Sequence, residues 1–329
     1  MYAARVLAAT LAVAALLAAP SMTEPIIEKA PGVKGEVNWS EGVLQANGVG
    51  VRPRDAESEA QARLLARRAA IADAYRNLAQ LINEVRVTAD TTADQYITRS
   101  DQIRMRVDAY IRGAQVIEEE DDESQGIYTV TMALPMAGGG ALTGIMLPHV
   151  VKRTRPPAPV LPSAAPAPEP TPPAAAPAPA VPALPPAPTA RATLDLESEL
   201  LTPADARGPF TGLIVDTRGL GVEPSMSARI YDPAGREVYG AERVDPDAVV
   251  AQGMAGYMGT IRAALRSPRV GSRPLVLRAA ATVDEFRRYV AISAEDAQRV
   301  LAENGPVQFL QQCAVVLVVD ERRARDEAK

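Results

Sequence analysis

Apolar and polar positions follow two different periods along this 329-residue chain. Residues 128–134 alternate between apolar and polar side chains, which predicts a half-buried strand. Residues 64–85 place apolar side chains at steps of three and four, which is typical of one face of a long helix. Strand and helix patterns return after residue 193. We therefore expect an α+β protein of two small domains, each an antiparallel sheet with helices packed on one face.

The N-terminal domain is predicted to span residues 36–150. Strands are expected at 37–39, 43–51, 114–119 and 127–134, with helices at about 55–84 and 94–112. The expected core face of the first helix comprises Leu64, Arg68, Ile71, Tyr75, Leu78, Ile82 and Val85. Gly48-Val49-Gly50 lacks the third glycine and the immediate helix of a dinucleotide-binding turn. It predicts a close backbone approach or a bulge instead.

The C-terminal domain is predicted to span residues 193–320, followed by a charged tail at 321–329. Asp232-Pro233-Ala234-Gly235 predicts a tight hairpin turn, because Pro fixes φ and Gly permits positive φ. A helix is expected from Pro246 to about Arg266, and Ser293 is the expected cap of another. The apolar run 314–319 predicts a central strand.

The first residues predict a signal peptide, residues 1–21. Arg5 precedes the apolar run 6–19, which is shorter than the roughly 20 residues that a membrane-spanning helix needs. The alternative is an uncleaved N-terminal anchor. Residues 151–192 are rich in Pro and Ala and predict a disordered, semi-rigid linker. We therefore expect the two domains to fold independently.

Composition excludes several classes of function. The net charge is −5, and no basic cluster of the kind that binds nucleic acid is present. The chain has one His, His149 beside the linker, and one Cys, Cys313, within an apolar run that predicts a buried thiol. We therefore expect no catalytic residues, no metal and no cofactor. The acidic run 118–123 lacks the spacing of a calcium loop and predicts a solvated turn, with a weak calcium site as the alternative.

One loop of the C-terminal domain carries candidate interaction residues. Asp216, Arg218 and Glu223 lie in a stretch that is dense in Gly and polar residues. Asp216 follows an apolar run and is the candidate for acid or base chemistry. The alternative is a loop whose charges are merely solvated.

The N-terminal domain contains a recognisable series of motifs. "VNWSEGVLQANGVGVRP", "ARRAAIADAYRNLAQLINEVRV" and "GAQVIEEEDDESQGIYTVTMALPM" follow one another within residues 36–148. This region resembles the LPP-twenty lipoprotein family and is similar to the N-terminal domain of the flagellar assembly T protein. The resemblance implies an outer-membrane or periplasmic protein, sometimes tied to the flagellum, and brings no catalytic residues. The chain has no Cys after the leader to carry a lipid.

These observations favour a non-enzymatic exported envelope protein with a scaffolding or assembly role. The expected partners are envelope or flagellar proteins, with peripheral membrane contact and a periplasmic or outer-membrane-associated location. Two alternatives remain open. One is a periplasmic module that binds a small ligand or a glycan, and the other is an envelope hydrolase that uses carboxylates.

Overall fold

The computed structural model describes residues 25–151 and 208–320, here called the N-terminal and C-terminal units. The signal peptide, the linker beyond residue 151, the stretch 193–207 and the tail 321–329 lie outside the described residues. Helices and mixed sheets in the described parts confirm the α+β class.

The N-terminal unit is an antiparallel sheet covered by helices. Its strands run in the order β1-β2-β3-β5-β4. They are β1 Ile27–Lys29, β2 Gly35–Asn38, β3 Val43–Val51, β4 Gln115–Asp122 and β5 Ile127–Pro135. The helices are α1 Glu59–Glu84, α2 Ala93–Arg99, α3 Asp101–Ile111 and α4 Leu142–Val151. The alternating apolar side chains of β5 are buried, as predicted.

Helix α1 lies directly on β3, with almost no side chain between the two backbones. A Cβ atom at Gly48 would lie closer than 3.0 Å to the backbone of Ala70 and Ala74. A Cβ atom at Gly50 would overlap the backbone of Ala66 in the same way. The prediction of a close backbone approach at these glycines is confirmed.

The buried face of α1 differs from the predicted one. Ala66, Ala70 and Ala74 are fully buried, whereas Leu64 is 62% exposed. Ile71 is only half-buried. Small side chains line the contact because the two glycines of β3 bring the helix too close for larger ones. Periodicity of large apolar residues therefore misplaced the face in the first half of the helix.

The predicted second helix is two helices. Ser100 interrupts it in an extended conformation, and its side chain caps α3 by accepting from the backbone N–H of Ile103. Serine competes for backbone hydrogen bonds in this way and favours caps over helix interiors.

The C-terminal unit contains two four-stranded sheets. The first has the order β10-β6-β13-β9 and the second the order β11-β12-β7-β8. The first comprises β6 Gly212–Asp216, β9 Gly256–Met258, β10 Pro274–Arg278 and β13 Val315–Val318. The second comprises β7 Arg229–Tyr231, β8 Glu237–Tyr239, β11 Ala281–Thr282 and β12 Tyr289–Ala291. The helices are α5 Pro246–Gln252, α6 Ile261–Arg266 and α7 Ala294–Asn304, with a short 3₁₀ helix at Pro268–Val270.

The expectation of an antiparallel sheet in this unit is wrong for the first sheet, whereas the second sheet is mixed, with antiparallel pairs β11–β12 and β7–β8 and the parallel pair β12–β7. Strands β10, β6, β13 and β9 are all parallel. Both faces of β6 and β13 are buried: Leu213 and Val315 face the main core, while Ile214 and Val316 face α6. Continuous apolar runs are the signature of such strands, since no face is left for polar residues.

Two local predictions for the C-terminal unit are confirmed, and one is corrected. The hairpin of β7 and β8 forms at the predicted turn, and Ser293 caps α7 by accepting from the N–H of Asp296. The helix predicted from Pro246 to Arg266 instead ends at Gln252. Gly253, at φ 76°, stops it, and the chain then forms β9 before α6 begins.

The N-terminal and C-terminal units pack against each other. Leu44 and Leu142 belong to the same connected apolar cluster as Leu213 and Val315. Hydrogen bonds cross the junction from Met226 N to Arg86 O (2.9 Å), from Gly138 N to Val250 O (2.8 Å) and from Ala89 N to the Tyr289 hydroxyl (3.1 Å). This contact is more extensive than we expect for two domains joined only by a linker. Independent folding of the two units stays a prediction.

The close approach of β3 and α1 predicts a steep cost for one methyl group. We expect Gly48→Ala to lower the free energy of unfolding by about 3 kcal/mol, because the new Cβ must push the helix backbone away. Gly139→Ala is the matched control, since nothing lies within 4 Å of its Cβ position. Chemical denaturation of both variants measures the difference. Equal stabilities would contradict the contact described here.

Candidate functional site

The predicted interaction loop begins at the carboxyl end of the parallel sheet. Asp216 is the last residue of β6, and Asp320 follows the adjacent strand β13. In open sheets with parallel strands, ligands bind outside these carboxyl ends. The loop therefore lies where the fold favours a site, and its own hydrogen bonds decide what remains for a ligand.

Asp216 and Arg218 form a bidentate ion pair. The Arg218 Nε donates to Oδ1 at 2.8 Å and Nη2 donates to Oδ2 at 2.9 Å. The Asp216 side chain is 2% exposed, and its Oδ1 also accepts from the backbone N–H of Arg218. A carboxylate held by these donors fixes the course of the chain as it leaves β6.

Glu223 pairs with a different arginine, Arg288. The Arg288 Nη2 donates to its Oε2 at 2.6 Å, and Arg288 Nη1 donates to the Pro224 carbonyl at 2.8 Å. Arg288 is buried. The structure therefore joins two of the three candidate residues directly and ties Glu223 to a residue that sequence reasoning missed.

Asp320 is the other missed residue. Its carboxylate accepts from the backbone N–H groups of Gly219 and Gly221, at 3.0 and 3.3 Å. Both glycines have positive φ, which turns successive N–H groups toward one point and makes a small anion-binding concavity. A carboxylate of this chain already occupies it. The Gly-Leu-Gly spacing was the available signal, although its partner lies 101 residues away.

A cavity of about 1010 Å³ lies at the junction of the two units. Its walls come from both: residues 39–43 and 135–137 on one side, and residues 251–256 and 266–269 on the other. Tyr257 of the C-terminal unit contacts Ser40 and Trp39 of the N-terminal unit. The Ser40 Oγ donates to the Tyr257 carbonyl at 2.9 Å, and the Trp39 ring meets the Tyr257 ring edge-on at 5.7 Å.

Tyr257 is itself anchored within the C-terminal unit. Its hydroxyl donates to the Ser225 carbonyl at 2.8 Å and accepts from the Ser225 N–H at 3.1 Å. Burial raises the pKa of the Tyr257 hydroxyl above its usual value, so the group stays protonated and keeps both bonds. The Tyr257 side chain at the junction is therefore held in one position by hydrogen bonds.

The acidic run 118–123 is an ion-paired strand and not only a solvated turn. Arg67 donates to both carboxylate oxygens of Glu119, at 2.7 and 2.6 Å, and the Tyr128 hydroxyl donates to Oε2 at 2.6 Å. Asp121 pairs with Arg52 and Arg63, at 2.5 and 2.8 Å. The arginines of α1 therefore balance the charge that the sequence concentrates there.

The remaining groups that the sequence singled out are Cys313 and His149. Cys313 is fully buried, as predicted, and burial raises the pKa of its thiol to about 11. His149 lies in the last turn of α4. Within residues 25–151 and 208–320, no three His, Cys, Asp or Glu side chains converge as metal ligands. In these same ranges, no helix has the length and apolar character that would let it cross a bilayer.

Comparison with known families matches each unit separately. Residues 53–133, from just before α1 to the end part of β5, match the model of the LPP20 lipoprotein family. The N-terminal unit is LPP20-like. This confirms the resemblance predicted from its motifs. The LPP20-like unit indicates an envelope-associated protein related to lipoproteins.

The C-terminal unit resembles a different protein. Residues 212–321 match the model of the second domain of Treponema pallidum Tp0624. The match begins at the first residue of β6 and extends just past β13. No curated protein matches the chain. The similarity of the LPP20-like unit to the flagellar assembly T protein stays a prediction.

The ion pairs of Glu119 predict an acid dependence of stability. Hydrogen bonds from Arg67, and then from Tyr128, lower the pKa of Glu119 from 4.5 to about 2. Because the folded-state pKa lies below the unfolded one, this carboxylate stabilises the fold above about pH 4.5, and the contribution is lost as the pH falls toward 2. We expect Glu119→Gln to be less stable than wild type at pH 7 and to lose less stability on acidification.

Glu120→Gln is the matched control for this test. It makes the same change in charge one residue further along β4, at an exposed side chain. We expect its free energy of unfolding to stay within about 0.5 kcal/mol of wild type. Urea denaturation from pH 7 to pH 2 compares the three proteins. Parallel curves for wild type and Glu119→Gln would contradict the assignment.

The hydrogen bond between the units at Tyr289 predicts that its hydroxyl protects the Ala89 peptide N–H from hydrogen exchange. Tyr289→Phe leaves the buried N–H of Ala89 without its acceptor, at a cost of about 1–3 kcal/mol. We expect faster hydrogen exchange in residues 85–92. Tyr239→Phe is the control, since its hydroxyl bonds to Met254 within the C-terminal unit. Unchanged exchange in residues 85–92 of Tyr289→Phe would mean that the units do not meet there.

Proposed function

We propose that this protein is an exported, non-enzymatic component of the bacterial cell envelope with a scaffolding or assembly role. It works in the periplasm or at the outer membrane and contacts other envelope proteins. The LPP20 match of residues 53–133 supports the envelope location. Assembly of the flagellum is the specific form of this role that the resemblance of the LPP20-like unit suggests.

The observation that carries the proposal is the pairing of three carboxylates of the C-terminal unit, among them the acid or base candidate Asp216. Asp216 is held by Arg218, and Glu223 by Arg288. Asp232 accepts from the N–H groups of Ala234 and Arg236 and from the Arg236 guanidinium. A general acid or base must reach the proton of a substrate. Carboxylates that are committed to the protein's own loops favour a structural role.

The exposed surface of the LPP20-like unit supports the same proposal. Val51, Leu64 and Met105 are 66%, 62% and 65% exposed, although each side chain is large and apolar. Apolar and Met side chains on the surface are typical of contacts with other proteins. Leu64 lies on the outer side of α1, away from the contact with β3.

Complementation of a deletion strain tests the proposal. We expect the deletion to weaken the envelope, measured as detergent sensitivity, or to impair motility. Leu64→Glu should fail to restore the phenotype while melting like wild type, because it charges the proposed contact surface. Ala72→Glu is the control, since Ala72 is an exposed residue of the same helix whose apolar side chain is small.

Enzymatic turnover would oppose this function. The opposing result is an activity on an envelope substrate that disappears when Asp216 or Asp232 alone is replaced and the fold survives. Restoration by Leu64→Glu as complete as that by Ala72→Glu would separately remove Leu64 from the contact surface. The two measurements are independent, so each part of the proposal is tested by itself.

A further inference from the structure

The polar groups in the walls of the junction cavity are largely used by the protein itself. Ser40 Oγ donates to the Tyr257 carbonyl, and Thr143 Oγ1 donates to the Met136 carbonyl at 2.7 Å. The Gln252 amide donates to the Gln312 carbonyl at 2.6 Å. A bound peptide or glycan would bring its own donors and acceptors, and each left unpaired costs free energy. Among the described residues, the Ser225 Oγ in the same wall is buried without a hydrogen-bond partner, so one polar group remains there for a ligand. The cavity therefore favours an occupant whose buried part is largely apolar.

The surface between these polar groups is apolar and adaptable. Met226 and Met258, both partly exposed, line the cavity together with Trp39, whereas Met136 and Met254 belong to the same walls but are only 5% and 1% exposed. Unbranched thioether side chains adjust to irregular, flexible apolar ligands. The volume of about 1010 Å³ is at the upper end of the usual range for small-molecule sites, about 300–1,000 Å³. A flexible alkyl chain fits these properties.

The charged side chains that line the cavity determine which polar head group a ligand with an alkyl chain can carry. Arg266 ends α6, lines the cavity and is exposed. Within the described ranges it has no ion-pair or hydrogen-bond partner. Arg269 also lines the cavity, but its guanidinium donates to the carbonyls of Gly253 and Cys313 and thus holds the wall. Glu41 is an exposed acidic residue on the opposite unit.

We propose that the junction cavity binds a single-chain amphiphile with a carboxylate head, the alkyl chain lying against the methionines and the carboxylate pairing with Arg266. An arginine fork matches a carboxylate in a bidentate geometry. The assignment goes beyond the scaffolding role and does not depend on it. A ligand at this place contacts both units and therefore stabilises their packing through binding free energy.

The chain carries its own reporter for this test. Trp39 is the only Trp in the sequence, and it lines the cavity. Dodecanoate, kept below its micellar concentration, is titrated into the full chain while Trp emission is recorded. Equilibrium dialysis with labelled dodecanoate measures binding directly. We expect saturable binding, with dodecan-1-ol and dodecyl phosphate as the neutral and phosphate comparisons of equal chain length.

Arg266→Gln and Arg262→Gln are the matched variants. Both residues are exposed arginines of α6, but only Arg266 lines the cavity. We expect Arg266→Gln to weaken dodecanoate binding about tenfold, a ratio equivalent to about 1.4 kcal/mol, and to leave dodecan-1-ol binding unchanged. Arg262→Gln should bind like wild type. Ala263→Phe places a ring inside the cavity on the same helix as Arg266 and should weaken binding of all three probes.

Several results overturn the proposal. The first is the absence of saturable dodecanoate binding by dialysis. Equal affinity for dodecanoate and dodecan-1-ol, or equal effects of the two arginine variants, removes the role of Arg266. Tighter binding of dodecyl phosphate than of dodecanoate removes the carboxylate assignment. An apolar peptide that changes Trp39 emission when dodecanoate does not would assign the cavity to a protein partner.

Discussion

The contact between β3 and α1 is the constraint on which the N-terminal unit depends. Gly48 and Gly50 remove side chains from one surface, and alanines such as Ala70 remove them from the other. At this distance the helix can also bond the strand directly: Asp73 accepts from the Val49 N–H and Asn77 donates to the Asn47 carbonyl. The position of the helix is thereby set by backbone contact as well as by apolar burial.

The same contact brings opposite charges together. Because α1 lies close to the sheet, two of its arginines reach β4. Arg63 pairs with Asp121 there, and Arg67 pairs with Glu119. Like charges crowded on one strand would otherwise repel each other and destabilise the sheet edge. The acidic run is therefore compatible with a stable sheet because arginines of α1 pair with its carboxylates. The close contact of α1 with β3 therefore accounts for both the packing of this unit and its ion pairs.

Local signals in the sequence predicted local structure well. The cap at Ser293 and the turn before β8 depend on a few neighbouring residues, so short patterns suffice for them. The face of α1 was misplaced because alanines carry the contact, and alanine contributes little to an apolar periodicity. The continuous apolar run at β13 predicted a central strand, but the chain pattern around it was interpreted as antiparallel.

Contacts between distant residues could not be predicted in the same way. The Asp216–Arg218 pair spans two residues, and the sequence placed both in one loop. Arg288 bonds Glu223 across 65 residues, and Tyr257 accepts from Ser40 across 217. No periodicity or motif connects such positions in a single sequence. The junction, with the cavity that it encloses, therefore emerges only from the three-dimensional packing.

The burial of Cys313 has a consequence for the proposed location in the periplasm or at the outer membrane. Exported proteins meet enzymes that oxidise accessible thiols, and a single unpaired thiolate invites mixed disulfides and covalent dimers. Only the thiolate reacts, and a pKa of about 11 keeps this sulfur protonated near neutral pH. The surrounding apolar cluster, with Val249 and Met254, also shields it from attack. In the proposed periplasmic location, the fold would therefore keep the single cysteine of the sequence from forming crosslinks.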